Sequence, residues 1–160
     1  MAKLGADDLD GYRRVCAAMR QQFRKTNSPY TAARVVFTCV VVPETPAGTA
    51  ETLRLAIALG YSRALAAACY RSGQYEATIR HYDYARSHER FPLRGVELLF
   101  LAMAQHRLGR DADARETFAR AAKWFDGATL PVAGGGSWSW YDQVEVRCLR
   151  REAERLFRGN

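Results

Sequence analysis

Two observations on the 160-residue chain predict an all-α fold of about eight helices. Apolar residues recur at intervals of three and four nearly throughout, and no segment alternates strictly as a half-buried strand would. In addition, the stretches YSRALAAACYRSGQYEATIRHYDYAR and GVELLFLAMAQHRLGRDADARETFARAA superimpose on their turn glycines, Gly73 and Gly109.

The elements follow in order. Tyr12, Val15, Cys16, Met19 and Phe23 fall on one stripe of a first helix, and Asp7, Asp8 and Asp10 suit its N-terminus, where free amides favour negative charge. Asn27-Ser28-Pro29 breaks that helix. Pro29 opens the next, which runs to Val42 before Pro43 stops it. Thr49 and Glu51 open a third helix reaching Leu59. Tyr61–Arg71 and Tyr75–His88 form a hairpin about Ser72-Gly73. Leu93–Leu108 and Asp111–Phe125 form a second hairpin about Gly109. An irregular stretch with Gly134-Gly135-Gly136 and Trp138 follows, and Tyr141–Arg158 is a final helix. The aromatics Trp138, Trp140 and Tyr141 are expected to latch onto the flank that the last hairpin leaves exposed, rather than to cradle a ligand.

In the register of the glycines, Leu65 matches Leu101, Ala66 matches Ala102, Tyr82 matches Phe118 and Ala85 matches Ala121. Small residues at 66 and 102 let two helices approach closely, and one hairpin cannot bury both its faces, so hairpins must stack. These residues resemble the tetratricopeptide repeat family. One unit supplies Leu98, Leu101-Ala102, Gly109, Ala114, Phe118 and Ala121, and the other Leu65-Ala66, Gly73, Tyr75, Tyr82 and Ala85, with departures at Ser62 and Thr78. The wider wording (GYRRVCAAM, TAARVVFTCVVVP, RCLRREAERL) is similar to repeat regions associated with bacterial serine/threonine kinases and related signalling proteins of the planctomycete type.

The resemblance implies a right-handed superhelix of stacked antiparallel pairs within one domain. Its parts would be an N-terminal helix (1–28), a degenerate repeat (29–60), repeats at 61–92 and 93–126, a Gly/Trp loop (127–139) and a C-terminal capping helix (140–158). It also implies a concave face that holds a protein or peptide. The family's contact positions carry over to Arg63, Ala67 and Tyr70 in one unit and Leu99, Met103 and His106 in the next, with Arg71 and Arg107 beside them. On this expectation, Arg63→Glu with Met103→Asp spares the fold and abolishes capture. The lysine and asparagine set that clamps acidic chaperone tails in the family is not supplied, because the only asparagines are Asn27 and Asn160.

The net charge of +7, mostly arginine, favours acidic partners. Protein or peptide is the first expectation. The alternative is nucleic acid or another polyanion on the terminal helices, through Arg13, Arg14, Arg20, Arg24 and Lys25 at one end and Arg147, Arg150, Arg151, Arg155 and Arg158 at the other. A homodimer that fills its own groove is a third possibility.

Enzymatic chemistry is not expected. No Gly-x-Ser-x-Gly or phosphate-loop motif occurs, and His81 and His88 stand roughly 10 Å apart along a helix, too far to share one metal ion. Cys16, Cys39, Cys69 and Cys148 stand singly in apolar patterns and read as reduced core residues, with no metal and no cofactor implied. The longest apolar run, Val35–Val42, is far short of the roughly 20 residues a membrane helix needs, and the acidic N-terminus is unlike a secretion signal, so a cytoplasmic protein is expected.

Overall fold

A computed structural model of the chain describes residues 2–5, 7–88, 93–127 and 140–158, and every regular element among them is helical. The elements are α1 (Ala2–Gly5), α2 (Leu9–Phe23), α3 (Pro29–Cys39), α4 (Pro46–Leu59), α5 (Ser62–Arg71), α6 (Tyr75–His88), α7 (Gly95–Arg107), α8 (Asp111–Gly127) and α9 (Trp140–Arg158). Residues 128–139 and the side chains of Trp140 and Tyr141 lie outside the described residues, and with them the expected aromatic latch.

Local chemistry sets the boundaries. The Asp8 carboxylate accepts from Gly11 N at 2.7 Å and caps α2, as the aspartate run predicts. Ser28 caps α3 and Thr45 caps α4, each with proline in the first turn. Thr45 therefore starts α4 at Pro46, three residues before Thr49. Helix α3 stops at Cys39 rather than Val42, and the carbonyls of Val40 and Val41 accept from Arg71 at 2.6 and 2.8 Å.

The two hairpins repeat down to their turn bonds. Gly73 and Gly109 take φ of 75° and 73°, the left-handed conformation that glycine adopts at least cost. Gln74 N donates to Cys69 O and Arg110 N to Gln105 O, both at 2.9 Å, and the glycine amides donate to Tyr70 O and His106 O. Ala66, Ala102, Ala85 and Ala121 are fully buried. Thr78, which stands where the second unit has Ala114, donates its hydroxyl to Ala66 O and Gln74 O, so the departure is accommodated without an orphaned polar group.

Helix α7 is the centre of the main core. Leu98 to Ala104 are all buried, with α5, α6, α8 and α9 packed around them. A second cluster joins Tyr12 and Cys16 of α2 with Val35, Cys39, Val41 and Val144. On α2 the buried face runs Gly11, Tyr12, Cys16 and Arg20, while Val15 is exposed. The expected stripe is thus rotated, because Arg20 is buried against Glu44 rather than solvated.

The last helix departs most from expectation. It does not extend the stack beyond α8 but lies along α7 and contacts α1, with Phe157 alone reaching the Phe118 ring of α8. Leu149 and Ala153 belong to the main core and Val144 to the second cluster, so α9 ties the two together.

Candidate functional site: an arginine-lined cleft

Most residues assigned to the concave face are buried. Ala67, Leu99 and Met103 have no more than 2% of their surface exposed and form core, with α9 packed along α7. Arg63 is buried and donates to Glu97 Oε2 at 2.7 Å, a bond that joins α5 to α7. His106 bonds Asp111 at 2.7 Å, and its ring packs at 5.0 Å from that of Phe157. Arg71 spends its guanidinium on the Val40 and Val41 carbonyls and on both oxygens of Glu152, at 2.6 and 2.8 Å, and lies over the Tyr70 and Phe100 rings. On α7 the face implied by the resemblance is therefore covered by the chain's own α9. The double change Arg63→Glu with Met103→Asp would strike the core and would not spare the fold.

Tyr70 and Arg107 remain, and they border an open cleft of about 640 Å³. Around them stand Arg151, Glu152 and Arg155 of α9, Leu9 and Arg13 of α2, and Val42-Pro43. The cleft thus unites two sets of residues that the sequence offered as rivals, the inner ends of α5 and α7 and the arginines of the terminal helices. Its floor is apolar, from Leu9, Val42, Pro43, Leu156 and the thiol of Cys148.

Charge in the cleft is unbalanced. Of the two lining carboxylates, Asp7 and Glu152, Glu152 is committed to Arg71; Arg13 pairs with Asp10, and among the described residues Arg107, Arg151 and Arg155 enter no ion pair, which leaves the basic groups in excess. Burial, with the neighbouring Glu152 carboxylate adding to it, pushes the Tyr70 phenol up to about 12, so it stays a neutral hydroxyl beside the arginines. Burial likewise raises the Cys148 thiol against the pull of Arg151 and Arg147, which keeps it protonated and a poor nucleophile. What the cleft offers is a hydroxyl, three guanidinium groups outside any ion pair among the described residues, of which Arg155 donates to Arg151 O and Arg107 bonds Tyr70, and an apolar floor, a set that recognises an anion attached to an apolar body.

The arginines of α9 were legible as a charged face, but their placement against Tyr70 and Arg107 rests on the fold-back of α9. Arg20, counted with the basic surface of the first helix, is buried and belongs to the interior. Fold and cleft define an all-helical protein of stacked hairpins closed by an amphipathic helix. Comparisons with models of protein families, with curated proteins and with solved structures found no match. No helix among the described residues is long and apolar enough to cross a membrane.

Proposed function

We propose that the chain is a non-enzymatic binding module that holds an acidic segment of a partner protein in the cleft between α2, α5, α7 and α9. The observation that carries this reading is the convergence of Arg107, Arg151 and Arg155, none in an ion pair among the described residues, over the apolar floor of Leu9, Val42, Pro43 and Leu156. An acidic segment with interspersed leucines would pair its carboxylates with the arginines and bury its apolar side chains on that floor. Bidentate arginine–carboxylate bonds are among the stronger polar contacts available to such a surface. The shared turn bonds of the two hairpins support counting them as tetratricopeptide-like units, and with them a scaffold role in cytoplasmic signalling.

The test is fluorescence anisotropy with a labelled Glu/Asp/Leu peptide. Binding is expected for the wild type and a loss of at least tenfold for Arg151→Glu with Arg155→Glu, both exposed, with the helical circular dichroism unchanged. Equal binding by the double variant removes the cleft from the proposal.

The rival ligand is a nucleic acid held by the same arginines, and the outward face of α9, with Arg147, Arg150 and Arg158 exposed, favours it. Mixed oligonucleotides titrated at low and high salt separate the two. Phosphate contacts lose affinity along a steep linear slope in log salt, whereas a peptide seated on the apolar floor keeps much of its affinity. A light-scattering mass decides whether the chain acts as a dimer.

A further inference from the structure

The cleft leaves unused a second cluster of reactive side chains, buried where α2, α3 and the α3–α4 connection meet. Cys16 is fully buried on α2, Cys39 is the buried last residue of α3, and Glu44 follows five residues later. Their two thiol sulfurs and a Glu44 carboxylate oxygen all lie within 4.8 Å of one another. We propose that Cys16, Cys39 and Glu44 form a site for a borderline-soft divalent metal ion of the zinc type.

The first argument concerns Glu44 itself. Its side chain is 5% exposed, and Arg20 Nη1 bonds Oε2 at 2.5 Å, but Oε1 is buried without a partner. The space beside it, lined by Cys39, Thr49, Thr52 and Arg71, is too tight to hold a water. Buried carboxylate oxygens are ordinarily satisfied, and one left bare is destabilising. A cation bound by Oε1 and the two sulfurs removes that cost.

The second argument is the balance of charge. Two thiolates and a carboxylate carry three negative charges, which a divalent ion and the Arg20 guanidinium cancel. Without metal the two neutral thiols and the Arg20–Glu44 pair also sum to zero. Neither state therefore buries net charge, the condition under which a buried ionic cluster is tolerated. Glu51, the other partner of Arg20 at 3.3 Å, is 47% exposed and hydrated. Arg20 holds the carboxylate from behind in the manner of the outer hydrogen bonds that orient metal ligands. Gly48 makes room for this arrangement, since a Cβ there would stand 2.4 Å from Glu44 Oε2 and 2.7 Å from Arg20 Nη2.

The third argument is the donor set. Sulfur selects zinc-like ions over magnesium or calcium. Tetrahedral zinc, with bonds of about 2.3 Å to sulfur and 2.0 Å to oxygen, sets its donors about 3.5–3.8 Å apart. The donors, all within 4.8 Å of one another, need only close in by side-chain rotation to reach this.

The experiment is a cobalt titration of the full chain, reduced and stripped of metal with a chelator. One Co²⁺ per chain is expected, with an intense thiolate-to-cobalt charge-transfer band that zinc displaces. Cys16→Ser and Cys39→Ser should each abolish the band, Cys69→Ser should leave it intact, and Glu44→Gln should weaken binding at least tenfold. Absence of the band in the folded wild type overturns the proposal, as does its survival in Cys16→Ser or Cys39→Ser. Should the serine variants fail to fold, X-ray absorption at the zinc edge of the loaded wild type decides. Two sulfurs at about 2.3 Å with lighter oxygens are expected, and a shell of only oxygen and nitrogen, or of four sulfurs, overturns the site.

Discussion

Two buried arginine–glutamate pairs, Arg63–Glu97 in the hairpins and Arg20–Glu44 in the α2–α4 segment, solve the same physical problem to different degrees. Around Glu97 both carboxylate oxygens are used: Oε2 accepts from Arg63 and from the Arg94 amide at 2.7 and 2.6 Å, and Oε1 from the Arg94 guanidinium at 3.4 Å. Around Glu44 Oε2 is bonded and Oε1 is buried without a partner, and a carboxylate oxygen lies within 4.8 Å of two thiol sulfurs. The first pair is closed and belongs to the structure of the fold. The second is open on one side, and an open side lined by sulfur is where an external cation would be useful.

Breaking the closed pair should have the largest effect. Arg63→Glu sets two carboxylates against each other in the core and should abolish the cooperative thermal transition followed by circular dichroism. The milder Arg63→Met leaves Glu97 only its Arg94 contacts and should cost about 3 kcal/mol in urea unfolding. Arg71→Ala comes next, at about 2–4 kcal/mol, because it frees the Val40 and Val41 carbonyls and the partly buried Glu152 together. Gly48→Ala tests the open pair. Its Cβ must displace the Arg20–Glu44 contact, so a loss of about 1–3 kcal/mol should accompany weaker cobalt binding, and unchanged cobalt binding would separate Gly48 from the site.

A smaller effect is expected from Glu145 on α9. Burial raises this carboxyl to about 7, against the pull of Arg94 and with Asp142 and Glu97 adding to the rise. Its folded value thus lies above the ordinary 4.5, and the folded state binds the proton more tightly than the unfolded chain. Stability should fall as pH rises from about 4.5 through about 7, and Glu145→Gln should flatten that slope relative to wild type. Equal slopes in the two proteins would remove Glu145 as the cause. Smallest of all, Arg151→Glu with Arg155→Glu should change stability by no more than about 0.5 kcal/mol, since both are exposed, while still weakening peptide capture.

The same contrast explains what could be read from the chain in advance. Helix–turn–helix units are local: their periodicity, turn glycines and small residues lie within 30 residues of one another, and α5 to α8 sit within two residues of the expected bounds. The resting place of α9 is not local. Its stripe of Leu149, Ala153, Leu156 and Phe157 shows that one face is buried but not which neighbour it is buried against, and the end of the stack and the inner face of α7 both qualify. The inner face was chosen because Arg71 and Glu152, 81 positions apart, satisfy each other there. The Cys16–Cys39–Glu44 cluster was hidden for a related reason. Metal-binding cysteines advertise themselves by short spacings on one turn or loop, and a 23-residue gap across two helices gives no such signal. Arg20 misled most, because an arginine beside other basic residues looks solvated until its partner, 24 positions away, is known.

The fold-back of α9 also sets the order in which the molecule can be made. Synthesis delivers α7 before the helix that covers it, so Leu99 and Met103 of a nascent chain remain without their final cover until Arg158 has emerged. Hairpins α5–α6 and α7–α8 can form from local contacts while synthesis continues, but the stack closes only once α9 has followed them. During that interval the uncovered face is the part of the chain most in need of protection from other apolar surfaces.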